Sequence, residues 1–165
     1  MVTQVAVNVH QWRRKNNGAW ADECTPFLSV DEARRMFGVA QHSMSTLNRH
    51  AAVLMHVHGA RAATDVTGFG LLGHAHNLAS NQRAAVHFRL HTLPLIRGAA
   101  EVNRRVNDFG LLDGYSAETS GGLLIALPSR AAADAYLVAL KASGVQPPEW
   151  GWIVFKLVDL KGVLS

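Results

Sequence analysis

Between residues 2 and 9 the side chains alternate, Val5, Val7 and Val9 against Gln4, Ala6 and Asn8, and a period of two predicts a half-buried strand. A strand so early in the chain asks for a pairing partner upstream of it. Residues 13–27 mix charges with Asn16, Asn17, Gly18 and Pro26 and read as a solvated loop. The period then changes. Ser29 and Glu32 have capping-box spacing, and Ala33, Met36, Phe37, Ala40, Met44, Leu47, Ala51, Leu54 and Met55 recur at helical intervals, a core stripe that Gly38 divides into two helices. Residues 62–66 predict a short strand, 70–79 a helix with Leu71, Ala75 and Leu78 on one face, and 84–90 a strand carrying Val86, Phe88 and Leu90. Pro94 can open a helix that aligns Leu95, Ala99, Val102 and Val106. Residues 123–127 form a buried strand, Ser129 caps a helix with Ala133, Tyr136, Leu137 and Leu140 inward and Gly144 ending it, and 152–158 form a last strand. Strands and helices in this alternation predict an α+β domain, a mixed sheet flanked by helices.

Composition narrows this to one domain over residues 1–165, because 165 residues at 48% apolar content close one core and not two. No leader pattern opens the chain and no apolar run of about eighteen residues crosses it, so neither secretion nor membrane spanning is expected. Cys24 is the only cysteine, which excludes an internal disulfide or a thiol metal knuckle and fits a reducing, cytoplasmic setting. Sixteen basic against twelve acidic residues leave a net charge of +4. The excess is thinly spread and not interleaved with aromatics, so no nucleic-acid partner is expected and solvated surface charge is the simpler reading.

Chemistry concentrates at residues 62–74, AATDVTGFGLLGH, where a strand ends in Asp65, passes Thr67 and turns through Gly68 and Gly70 into a helix. Glycines let the backbone approach a phosphate, helix amides face an anion, and a carboxylate just before them can hold a divalent cation against it. Gly68, Gly70 and Gly73 also match the dinucleotide fingerprint, but no Asp or Glu stands in 86–94, where the ribose-binding acid belongs. Tight strand–helix packing explains the glycines equally well. Thr119, Ser120, Gly121 and Gly122 could form an anion nest or simply a tight turn. Asn48 borders the apolar stripe and reads as a satisfied core amide in preference to a group facing the site. The nine histidines include the pairs His56/His58 and His74/His76, whose spacing of two puts them on different helix faces, so they read as scattered surface residues. Trp12, Trp20, Trp150 and Trp152 read as anchors of the core or of a domain interface.

ATDVTGFGLLGHAHNLA resembles a signature of the selenophosphate synthetases (selenide, water dikinases), and ETSGGLLIALP, residues 118–128, resembles their second carboxy-terminal signature. TQVAVNVHQW, LNRHAA and VHFRLHTLP add weaker likenesses, closest to eukaryotic members, so the resemblance covers almost the whole chain. It sets the chain apart from aminoimidazole ribonucleotide synthetase and thiamine phosphate kinase, relatives in the same ATP-using superfamily whose glycine turns differ.

The resemblance implies the carboxy-terminal domain of that superfamily, paired with an amino-terminal ATP-binding domain that this sequence lacks. The family forms selenophosphate from selenide, ATP and water, releasing AMP and phosphate with magnesium on the nucleotide. Its nucleophile, essential lysine and most metal-binding carboxylates belong to the amino-terminal domain. What carries over is Asp65 as a metal ligand, with Thr67, Gly68 and Gly70 shaping the turn that presents it; Cys24 does not match the nucleophile. The resemblance further implies a homodimer for the longer protein and no activity for this chain alone. A non-catalytic scaffold docking on a partner through an apolar face is the alternative. Two departures stand out: Phe155 in WGWIVFKLV, where relatives tend to have glycine, and an end at Ser165 without the family's final strand.

Overall fold

A computed structural model describes residues 3–144 and the strand at 156–159. The expected opening strand is instead a helix, α1 (Thr3–Lys15). Thr3, Val5, Ala6 and Val9 are its buried residues, a set with helical spacing that the even alternation of valines hides. α1 lies against α2 (Val30–Ser45), and burial on that neighbour outweighs the strand propensity of three valines. The expected loop after it contains a wide helical turn, Ala19–Cys24, that buries Trp20 and Cys24. Those two lie one turn apart, so an indole and the thiol both enter the core, and Phe27 packs against it.

Ser29 caps α2 as its sequence predicts: its side chain accepts from the Glu32 amide at 3.2 Å while Glu32 reaches back to the Ser29 amide at 2.9 Å. Gly38 does not divide the stripe. α2 runs through it and stops at Thr46, and α3 (Arg49–Val57) follows, because a single glycine costs a helix only about 1 kcal/mol. Leu47, expected in the stripe, lies between the two helices and is 76% exposed. Pro94 likewise opens no helix; the chain stays irregular until Gly98, at φ +90°, where α5 (Ala99–Arg105) begins.

Two antiparallel ladders complete the α+β fold. β1 (Ala62–Asp65) pairs with β3 (Leu123–Ala126), placing Asp65 opposite Leu123, and β2 (Val86–Arg89) pairs with β4 (Lys156–Asp159). Among the described residues no parallel pair occurs, which removes the dinucleotide-binding reading: such a unit needs β1 and the next strand side by side and parallel. α4 (Gly70–Ser80) touches both β1 and β2, and α6 (Arg130–Ala142), capped by Ser129 Oγ, packs on α3. The main core gathers Val5, Val9, Trp20, Met36, Val102 and Leu111; a smaller one under the β1–α4 turn holds Val66, Leu71, Ala75 and Leu124. Trp12 packs on Phe109 at the edge of the main core, whereas Trp150, Trp152 and Phe155 lie outside the described residues.

Candidate functional site

Asp65 ends β1 with its carboxylate in solvent, because the strand's alternation sends Val66, and not Asp65, into the small core. Two hydroxyls hold the carboxylate. Thr67 Oγ1 reaches Asp65 Oδ2 at 3.1 Å and Thr64 Oγ1 reaches Asp65 Oδ1 at 3.4 Å. The turn that follows is closed by backbone: Thr67 carbonyl accepts the Gly70 amide at 3.1 Å and the Glu118 amide at 2.9 Å. Each glycine has a different reason. Gly70 sits at φ +69°, and a Cβ there would stand 2.5 Å from the Tyr115 carbonyl carbon; Gly68 has open space on that side. Gly70 is therefore fixed by close approach and Gly68 leaves room for a ligand.

The second signature lies beside the first. The Val66 amide donates to Gly122 carbonyl at 3.0 Å, and a Cβ on Gly121 would fall 2.0 Å from Val66 carbonyl oxygen. Asn48, at the start of α3, donates through Nδ2 to Gly121 carbonyl at 2.9 Å, so its amide is satisfied by the turn and not by the apolar stripe. Thr119 and Ser120 are exposed, Ser120 at φ +54°, and the Thr119 amide already donates to Thr3 Oγ1 at 2.8 Å. That amide is spoken for. Of the early α4 amides, Gly70 donates to Thr67 and Leu72 to Gly114 carbonyl at 2.9 Å, so the helix start is tied to its own protein more than an open anion cradle would be. The structure thus brings Asp65, Thr67, Gly68, Gly70, Gly121 and Gly122 into one turn-on-turn unit.

Sequence reasoning missed two residues of this unit. His74, read as a surface histidine, is 7% exposed, and its Nε2 accepts the Thr67 amide at 2.9 Å while lying 3.2 Å from Thr67 Oγ1. The signal for it was its place seven residues after Thr67, one turn into α4 on the side of Leu71 and Ala75. Most other described histidines are exposed, as read, with His10 stacked on Phe37 and His58 edge-on to Tyr136. Glu118 is 6% exposed, and its Oε2 accepts from the Thr3 amide at 3.2 Å and Thr3 Oγ1 at 3.1 Å, anchoring the first turn of α1.

The donors available to a hard cation are oxygens, Asp65 Oδ1 and Oδ2 and Thr67 Oγ1, which suits magnesium. They fit it only as a part of a shell, since among the described residues no three His, Cys, Asp or Glu side chains converge. Cys24 is fully buried, and burial followed by the neighbouring Glu23 charge pushes its thiol up to about 11, so it is an inert core residue. No helix of the described residues is long and apolar enough to cross a membrane.

A family profile described as AIR synthase related protein, C-terminal domain, matches residues 21–154. The chain belongs to this family. Within it, the chain is 42% identical to selenide, water dikinase of Trypanosoma brucei brucei (strain 927/4 GUTat10.1) over 160 residues, 96% of this chain and 40% of that protein. It is 48% identical to selenide, water dikinase 2 of Homo sapiens over 152 residues, 92% of this chain and 33% of that protein. Against selenide, water dikinase of Dictyostelium discoideum the identity is 44% over 158 residues, 95% of the chain and 42% of the relative. The resemblance read from the two signatures therefore extends along nearly the whole sequence. The chain spans well under half the length of these relatives.

Proposed function

We propose that this chain is the carboxy-terminal part of a selenide, water dikinase and contributes Asp65 as one oxygen ligand of a magnesium ion on ATP. Supporting this reading is one observation above the rest: an exposed carboxylate at the end of β1, steadied by Thr67 at 3.1 Å, immediately before a glycine turn with open space at Gly68. In the longer protein an amino-terminal domain supplies the nucleotide pocket and the remaining metal ligands, and selenide, ATP and water give selenophosphate, AMP and phosphate. Magnesium supplies charge neutralisation on the phosphates when bound. This chain's own part is positioning: Thr67 holds the Asp65 carboxylate, Gly70 lets its turn lie on the Tyr115 backbone, Gly121 lets the second turn meet Val66, and Gly68 leaves one face of the turn open. The Thr119–Gly122 turn is a support for that face, with Thr119 and Ser120 hydroxyls exposed toward solvent. The longer protein is a soluble cytoplasmic enzyme that works as a homodimer, and this chain alone is inactive.

Asp65→Asn in the longer protein tests the reading. The change keeps shape and removes the charge, so turnover falls about tenfold or more, equivalent to ~1.4 kcal/mol of transition-state stabilisation, and added magnesium recovers part of it. A lowered melting temperature with normal turnover would reassign Asp65 to turn structure. The scaffold alternative draws on the exposed Leu47, Val53 and Val57 and gives Asp65 no task, so the same measurement separates the two.

A further inference from the structure

We propose that His74 is a positioning residue for the Asp65 site, acting through Thr67, whose backbone amide it accepts. The inference rests on the metal reading above and on what holds each polar group of Thr67. The Thr67 hydroxyl donates its one proton to Asp65 Oδ2 at 3.1 Å, and its oxygen lies 3.2 Å from His74 Nε2, whose single lone pair is taken by the Thr67 amide. Nε2 is the acceptor nitrogen, because the Thr67 amide donates to it at 2.9 Å, and so the ring proton belongs on Nδ1. With the carboxylate facing water, the hydroxyl proton turns to Asp65, the stronger acceptor. Without the ring behind it the Thr67 amide loses its acceptor, and the hydroxyl that steadies Asp65 loses its fixed place. The ring can serve this way because it is held: it is buried, it sits one turn into α4, and Phe69 lies tilted over it at 5.3 Å between centroids. A surface histidine at this spacing would sample several rotamers and could not.

The ring's tautomer tests the first half of the inference without any metal or activity. Long-range nitrogen–proton correlation spectra of this chain, with His74 assigned by its absence in His74→Gln, should show the Nδ1–H form; an Nε2–H ring would overturn the proposal. The second half is read in manganese binding to the longer protein, followed by the electron paramagnetic resonance of free Mn2+. Partners of metal ligands typically carry about 10–100-fold in affinity, so His74→Ala should weaken the Asp65-dependent site by about tenfold. His74→Gln, whose Oε1 can stand where Nε2 stands, should recover most of it. Equal affinity in His74→Ala and the unaltered protein would overturn the proposal, and should His74→Ala fail to fold, a His74→Gln affinity below that of Asp65→Asn would do the same. If Asp65→Asn itself leaves manganese binding unchanged, the metal reading falls, and the tautomer alone then decides whether His74 orders Thr67.

Discussion

The helical part of the chain and the part around the site are built differently. The helical region, α1, α2, α5 and the Trp20 turn, is held by side-chain volume: Met36, Leu111, Val5, Val9 and Val102 are each almost wholly buried and interdigitate in one cluster. The site region, where the β1–α4 turn meets the Glu118–Gly122 turn, has a smaller cluster among the described residues, Val66, Leu71, Ala75 and Leu124. Its order comes from backbone in contact with backbone, at Gly70 against Tyr115 and Gly121 against Val66, and from a hydrogen-bonded run through Thr67, His74, Glu118 and Thr3. A volume-filled region tolerates change in proportion to the volume lost or gained. A contact-filled region has no such slack, since one methyl placed between two main chains must move a main chain. That difference suits a site whose donor atoms have to stay fixed while facing water.

Gly121→Ala is the sharpest way to break the site region. Its new Cβ would stand 2.0 Å from Val66 carbonyl oxygen, a backbone atom that cannot rotate away, and 3.1 Å from Glu118 Cβ. Destabilisation of more than about 4 kcal/mol is expected, read as an early denaturant midpoint. Gly122→Ala, where the Cβ meets nothing within 4 Å, should change stability by less than about 0.5 kcal/mol. Similar stability in the two variants would show that the turns do not meet as closely as described.

The next effect is smaller and crosses between the regions. Glu118 belongs to the site region, yet its carboxylate ends on Thr3 in the helical one, and Thr3 Oγ1 in turn accepts the Thr119 amide at 2.8 Å. Glu118→Ala leaves the fully buried Thr3 amide and hydroxyl without this acceptor, an expected cost of about 1–3 kcal/mol, while Glu118→Gln keeps an oxygen there and should cost less. Amide exchange sharpens the reading: faster exchange should spread into the first turn of α1 as well as the Thr119 turn. Faster exchange confined to the turn would mean that the two regions are not coupled through this carboxylate.

How much of each region the sequence made legible follows from the same contrast. The helix caps and glycine turns are local: Ser29 with Glu32, Ser129 with Ala132, and Asp65 through Gly70 act within a few residues, so their outcome follows from spacing alone. The first helix was not legible. Val5, Val7 and Val9 satisfy a period of two, and only the partner surface of α2 decides that Val5, Ala6 and Val9 face inward together. The solvated-loop reading of residues 13–27 failed for the same reason, as the burial of Trp20 and Cys24 rests on packing against α1 and the main core, although Trp20 on its own reads as a core anchor. At the site, Asp65 and its glycines were visible because their neighbours are adjacent in the chain. Glu118 was not, since its partner Thr3 is 115 residues away. His74 hid behind a rule about pairs: two histidines at i and i+2 do not chelate, which is true and says nothing about what either does singly.

The smallest expected effect concerns Cys24, in the core of the volume-filled region. Its thiol is fully buried, and burial together with Glu23 raises it to about 11 from an ordinary value of 9.0. A raised thiol favours the neutral form in the folded chain, so it costs nothing below about pH 9. As pH climbs from about 9 to 11 the unfolded chain ionises its thiol first, protons leave the unfolded state preferentially, and stability falls across that window. Cys24→Ala or Cys24→Ser should flatten this part of the pH profile, though other groups ionising in the same range set most of its slope. Alkylation gives the cleaner measurement. With iodoacetamide at about pH 8 the folded chain should resist modification and the chain in denaturant should react readily, because the reagent needs thiolate and access, and the folded core denies both. Rapid labelling of the native chain would place Cys24 at an opening of the helical region and remove the contrast between a closed core and a site that faces water.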